Sequence, residues 1–291
     1  MRKFLRASTI LAASGFSYLC YVYLTLPDVR VLATQNPATT AFIELRKREA
    51  AEEGRPLTVR QRWVPYTQVS NNLRRAVLVA EDSAFFDHEG VDLKQIRASL
   101  EMNWEEGRFS RGASTITQQL AKNLYLTPTR NPVRKLKELL ITRRLEAALT
   151  KRRILEIYLN VIEWGDGIFG ADAASRAYFG KPAAALSPDE AALLAGAIIN
   201  PRVHNPARPT ARLRRRQEII SRRMGIKPPE PATIFASSPA AEVPQSGNNS
   251  AAIPSVNSPP PTPLPSAQPV QLPPNNGVAA PLIPGSPKLF R

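Results

Sequence analysis

Two glutamates on separate segments, each set among groups that could complete a transfer site, carry the chemical content of this chain. Glu81 opens Glu81-Asp82-Ser83-Ala84-Phe85-Phe86-Asp87-His88-Glu89-Gly90, and Glu138 closes Arg134-Lys135-Leu136-Lys137-Glu138. Between them runs Gly112-Ala113-Ser114-Thr115-Ile116-Thr117-Gln118-Gln119-Leu120-Ala121-Lys122-Asn123, rich in hydroxyl, amide and ammonium groups. A carboxylate near such cations suits a reaction that needs a base and charge stabilisation for an anionic leaving group. In an inverting glycosyl transfer, one carboxylate takes the proton of the attacking hydroxyl while the leaving group departs from the opposite face. Phe85 and Phe86, expected to pack under the turn after Glu81, would give it the apolar setting that raises a carboxyl pKa. Plainer readings stand beside these. Glu81 alone could be an exposed helix-end residue, and Glu138 a member of a solvated ion pair worth under about 1 kcal/mol.

Lys122, Arg130 and Lys137 could grip a diphosphate, since guanidinium forks and ammonium point charges both bind phosphate oxygens. Taken singly, each reads equally as a surface cation. His88 has no second His or Cys at ligand spacing, so a structural hydrogen bond is a better reading than zinc. The Trp164-Gly165-Asp166-Gly167-Ile168-Phe169-Gly170 loop lacks the phosphate-loop pattern and follows no apparent strand, so a nucleotide site there is weak.

Helices must position these groups. Leu73, Ala76, Val77 and Ala80 fall on one stripe that leads directly into Glu81. Asp92 caps a helix whose expected inward face is Leu93, Ile96, Leu100 and Trp104. Ser114 or Thr115 opens the next, with Ile116, Leu120 and Leu124 inward and Ser114, Gln118 and Lys122 lined up on a neighbouring face. Asn131 and Pro132 start a long helix with Arg134 and Glu138 four apart. Ser187-Pro188-Asp189-Glu190 is a capping box for the apolar helix after it. Arg212 to Arg223 forms a basic amphipathic helix that could meet anionic lipid or simply face solvent. No run of alternating strands is visible, and the expected fold class is mainly α.

The net charge of +15 calls for an anionic partner, and the single cysteine, Cys20, excludes an internal disulfide. Ala7 to Leu26 carries no charge and follows Arg2, Lys3 and Arg6. Such a stretch spans about 30 Å as a helix, and its basic flank keeps the N-terminus cytoplasmic. No convincing cleavage site follows Leu26, so an uncleaved anchor is expected over a signal peptide, with Tyr18, Tyr21 and Tyr23 as an interfacial belt. The expected organisation is an anchor over residues 1–27, a linker over 28–59, a catalytic domain over 60–226 and a Pro-rich tail over 227–291. That tail is too poor in apolar residues to offset its chain entropy and reads as disordered.

Taken together, the pattern E-D-x-x-F-x-x-H-x-G from Glu81, G-x-S-T-I-T-Q-Q-L-x-K-N from Gly112 and R-K-x-x-E from Arg134 resembles the peptidoglycan glycosyltransferases of family 51. Ile154 to Asn160, Gly170 with Ala177 to Lys181, and Glu190 to Ala195 extend the resemblance across about residues 60 to 225. It implies a lysozyme-like helical domain at the inner membrane, on its periplasmic side, that polymerises lipid II. In that family the glutamate at the position of Glu81 is the base, and the one at the position of Glu138 assists at the diphosphate side. Lys122, Arg130, Arg134 and Lys137 match phosphate-holding positions, sometimes helped by a divalent cation (Mg or Mn). Ser114, Gln118 and Asn123 match polar contacts of the cleft. The implied partners are lipid II, the nascent glycan chain, membrane lipids and other cell-wall synthesis proteins, with no nucleic acid. Thr142 stands where the family often has Ala, a matter of helix packing. Neither a Ser-x-x-Lys nor a Lys-Thr-Gly pattern occurs, so no transpeptidase activity is expected. A lysozyme-like hydrolase and a basic binding protein are the rival readings. The segment between Phe86 and Gly112, with Trp104 and Phe109, is a further candidate for dipping into the bilayer.

Overall fold

The computed structural model describes residues 2–106, 114–128 and 131–226. Arg130, Phe109 and the tail lie outside the described residues, as does the side chain of Trp104. The helices are α1 (Arg2–Leu24), α2 (Ala41–Glu52), α3 (Asn71–Glu81), α4 (Leu93–Glu106), α5 (Ile116–Tyr125), α6 (Pro132–Ala148), α7 (Lys151–Val161), α8 (Ala171–Phe179), α9 (Pro188–Ala197) and α10 (Ala211–Arg223). The starts anticipated from capping residues are present. Asp92 accepts from Gln95 N, Thr115 and Gln118 form a reciprocal box, Asn131 accepts from Val133 N, and Ser187 with Glu190 forms a second box; Ser70, not anticipated as a cap, also accepts from Leu73 N. Each satisfies N–H groups that a helix start leaves without partners.

α5 is the central rod. Ile116, Leu120 and Ala121 are fully buried, packed with Ile141 and Leu145 of α6 and with Leu155 and Tyr158 of α7. α3 lies on α9 and α10, burying Leu73, Ala76 and Val77. Leu93, expected inward, is exposed: it faces an apolar groove of about 880 Å³ that also takes in Leu139. Phe85 is buried as expected, whereas Phe86 points outward, its ring edge-on to Phe85.

Three short strands escaped the pattern search. β1 (Arg60–Gln61), β2 (Glu163–Gly165) and β3 (Ile168–Phe169) form a sheet in the order β1-β3-β2, parallel on one side of β3 and antiparallel on the other. Strands of two or three residues cannot display alternation, so the Gly-rich segment reads as a loop although it folds as a hairpin. Gly170 then enters α8 at φ +83°, where an added Cβ would lie 2.8 Å from the Asn160 carbonyl oxygen. Asn160 ties this sheet to the segment before α3, exchanging hydrogen bonds with the backbone of Val64.

The stretch read as a linker contributes to the body. Val29 and Leu32 enter the main core, and α2 packs on α5. Its apolar residues are too widely spaced to mark a face, which is why it looks like a connection. α1 is 23 residues long and apolar enough to cross a membrane by length and composition. Tyr18, Tyr21 and Tyr23 are exposed near its C-terminal end, while Val22 is buried. Arg144 of α6 donates to the Tyr23 carbonyl at 2.9 Å and stacks over the Tyr23 ring at 4.6 Å. A cation on the carbonyl end of a helix is favourably placed.

Candidate active site

α3 delivers Glu81 as its last residue because the chain leaves helical geometry at Asp82, whose φ and ψ are −165° and 80°. Asp82 is itself buried and fully engaged. Its carboxylate accepts from His88 Nε2 at 3.0 and 3.1 Å and from the Ile116 amide at 2.9 Å, the first N–H of α5. Gly90 N–H donates to His88 Nδ1, which leaves the ring proton on Nε2 facing Asp82. Gly90 sits at φ +82°, where a Cβ would lie 2.7 Å from the Thr142 methyl group. The first motif is thus a clamp that fixes the end of α3 against the start of α5. Replacing Asp82 by Ala orphans a buried N–H on each of two elements, and a loss of about 2–4 kcal/mol in unfolding free energy is expected. Denaturant unfolding of the full chain in detergent measures it.

The Glu81 side chain is 13 % exposed. Burial pushes its carboxyl pKa up, opposed by a hydrogen bond from Gln119 and by the charges of Arg216 and Lys122, with Asp82 adding to the rise. Gln119 Nε2 donates to Glu81 Oε2 at 2.9 Å, and Gln119 Oε1 accepts from the Tyr158 hydroxyl at 2.8 Å. Tyr158 is fully buried and its own pKa is driven well up by burial, so it stays a neutral donor. The apolar surroundings anticipated from two phenylalanines are therefore supplied in part otherwise, by the α5–α7 interface.

Glu138 is buried, at 4 % exposure, and both oxygens are engaged: Arg134 Nη1 donates at 2.7 Å and Lys135 Nζ at 2.5 Å. Thr142 donates to the Glu138 carbonyl oxygen one turn on, a packing role. Lys122 joins the two halves of the site. Burial pushes its ammonium pKa down, Glu138 and Glu81 pull it up, and Arg134 and Lys135 press it down again. One side chain thus lies within electrostatic reach of both carboxylates and of the α6 cations.

The structure brings Glu81, Lys122, Arg134 and Glu138 together and distributes the other expected residues around them. Gln118 is buried, and its carbonyl oxygen accepts from the Thr115 amide in the α5 cap. Ser114 is exposed just before that cap, and Lys137 is half-buried on α6. Asn123 is buried, donates to the Gln119 carbonyl, and lines a cavity of about 260 Å³ with Lys122, Gln119 and Tyr158. Arg46 and Glu163 border the same cavity, paired at 2.8 Å, and burial raises the Glu163 carboxyl pKa. Gln119, Arg216, Arg46 and Glu163 were not singled out from sequence. Gln119 sits one residue off the row of spacing four, and Arg216 lies hidden within a run of arginines.

A divalent cation finds no ready cage here. Among the described residues no group of three or more His, Cys, Asp and Glu converges, and Glu138 is already saturated by two cations. A hard divalent cation takes about six or more oxygen ligands, so such an ion here would need most of them from outside these side chains.

The chain matches the family model described as transglycosylase over residues 25–225. It is 48 % identical over 189 residues to the biosynthetic peptidoglycan transglycosylase of Dechloromonas aromatica (strain RCB), covering 65 % of this chain and 82 % of the relative. The protein of the same name from Laribacter hongkongensis (strain HLHK9) is 50 % identical over 191 residues, covering 66 % and 84 %. The one from Chromobacterium violaceum is 46 % identical over 215 residues, covering 74 % and 94 %. The matched span begins at the exit of α1 and takes in the segment read from sequence as a linker, in keeping with its place in the core. A family model that covers well over half of the chain, together with relatives near half identical, shows that the chain belongs to the transglycosylase family, glycosyltransferases built on a lysozyme-like helical domain.

Proposed function

We propose that this chain polymerises lipid II into peptidoglycan glycan strands by inverting transfer, with Glu81 as the general base. The observation that carries this reading is the buried Glu81 carboxylate, tied to Gln119 of the helix that also carries Lys122, whose ammonium feels the charge of both Glu81 and the Glu138–Arg134–Lys135 cluster. Glu81 takes the proton of the acceptor sugar's 4-hydroxyl as that oxygen bonds to the donor anomeric carbon. The bond from that carbon to the diphosphate oxygen breaks, and its electron pair leaves with the diphosphate. Lys122 and Arg134 offset the charge that develops there. Glu138 holds Arg134 and Lys135 at the cleft by direct hydrogen bonds, so its part in the reaction is to place cations.

A neutral glycan has no need of such a cationic cradle, which favours polymerisation over hydrolysis. α1 would anchor the enzyme in the inner membrane with the basic N-terminus inside and the catalytic domain outside. The exposed Phe86, Leu93 and Leu139, beside the large apolar groove, fit contact with membrane lipid. The sequence lacks both transpeptidase signatures, and the proposed enzyme is monofunctional.

Incubating the full chain in detergent with labelled lipid II on the one hand, and with preformed glycan strands on the other, separates the possibilities. Growth of polymer from lipid II with no shortening of the strands is expected. Fragments from the strands and no polymer would replace this reading by a hydrolase.

A further inference from the structure

Arg216 lies on the last helix of the domain, within the basic run that reads from sequence as a lipid-facing or solvated face, yet its guanidinium approaches Glu81. Its Nη2 stands 3.7 Å from Glu81 Oε1, with the arginine side chain one-third exposed. Its Nε is buried and has no hydrogen-bond partner among the described residues. A buried N–H without an acceptor is costly, and here the guanidinium stops just short of one. The aliphatic stem rests near Gly196 of α9, where a side chain would lie 3.7 Å from Arg216 Cγ. α10 is thus braced on α9 while its charged end is presented to α3.

We infer that Arg216 is a positioning residue for the base, keeping the Glu81 carboxylate ionised and aimed while the acceptor is taken up. The inference rests on the reading of Glu81 as general base. Glu81 is caught between opposing influences from every element around it. Asp82, its neighbour in the chain, adds negative charge. Gln119 and Lys122 of α5 donate and attract, and Tyr158 of α7 is neutral and committed to Gln119. α9 presents an apolar face, its acids Asp189 and Glu190 lying in the first turn, with Glu190 paired to Lys181. Arg216 is the arginine whose guanidinium stands against this carboxylate, 3.7 Å from Oε1. Burial favours the protonated acid, which cannot accept a proton from a hydroxyl. A cation beside it restores the ionised form at working pH. The 3.7 Å gap also suits a fork that closes on Oε1, using its spare Nε–H, once a substrate excludes water from the cleft.

Arg216→Gln and Arg216→Lys in the full chain test this, with the pH profile of lipid II polymerisation as one readout. The acid limb of kcat/KM should move up by about one pH unit in the Gln variant. Its plateau at high pH should stay within about threefold of the parent, and the Lys variant should return the limb most of the way. A second readout does not depend on turnover: titration of the Glu81 carboxyl by NMR in isotope-labelled protein, assigned by its loss in Glu81→Gln. The same upward displacement is expected there. An unmoved limb and an unmoved titration, or a uniform loss at all pH values with no rescue by Lys, would overturn the role. Parent enzyme that makes no polymer while the Glu81 titration still moves would instead count against the proposed reaction.

Discussion

Glu81→Gln is expected to lower polymerisation by about 10³-fold or more, with lipid II still bound. General-base catalysis contributes on the order of 10²–10⁴ in rate, and glutamine keeps the shape of the side chain but not its basicity. Gln119 can still donate to the new amide oxygen, so the local network survives. The substitution should also raise the melting temperature by a few degrees. The sign follows from burial. The Glu81 pKa in the folded state lies above its unfolded value, so the folded protein bears a penalty once pH exceeds the folded pKa and none below the unfolded one. The gain in Tm should therefore be full once pH exceeds the raised folded-state pKa and vanish below the ordinary carboxylate range. Thermal scans of both proteins across pH check it. A base poised at some cost to stability is a common feature of active sites.

The second large effect is expected at Lys122. Lys122→Ala should reduce turnover by about 10²–10³-fold, the scale on which one charge-stabilising donor acts. Binding of lipid II should weaken as well, because in the proposed reaction the ammonium would meet the diphosphate before the reaction as well as during it. The fold should hold, since Lys122 is half-buried on a helix that is otherwise fixed by its cap and by Ile116 and Leu120. Steady-state kinetics with the two parameters separated would show both kcat and KM changed. A change in KM alone would place Lys122 in binding only.

Much of this site is legible in the sequence because helix signals are local. The caps at Asp92, Thr115, Asn131 and Ser187 are each a few residues long and locate four helix starts. Glu81 follows from an apolar stripe that ends at it, and the pairing of Arg134 with Glu138 follows from their spacing along α6. What the sequence hides is long-range. Gln119 looks equivalent to Gln118 until Tyr158, 39 residues on, shows which of the two faces Glu81. Arg216 is one of several arginines on α10, and only the packing of α10 against α3 and α9 distinguishes it. Arg46 is indistinguishable from an ordinary linker cation until Glu163, 117 residues away, fixes it. The exposed Leu93 misses its expected burial for a related reason: a helical stripe shows which residues share a face, not whether anything covers that face.

One measurement bears most directly on the claim that a base and a cationic cradle share a single cleft. Fluorescent lipid II is titrated into the parent chain and into Glu81→Gln, and polymer is quantified in the same samples. The expected result is equal affinity, with polymer in the parent sample and essentially none in the variant. Polymer from Glu81→Gln at a rate near that of the parent would contradict it.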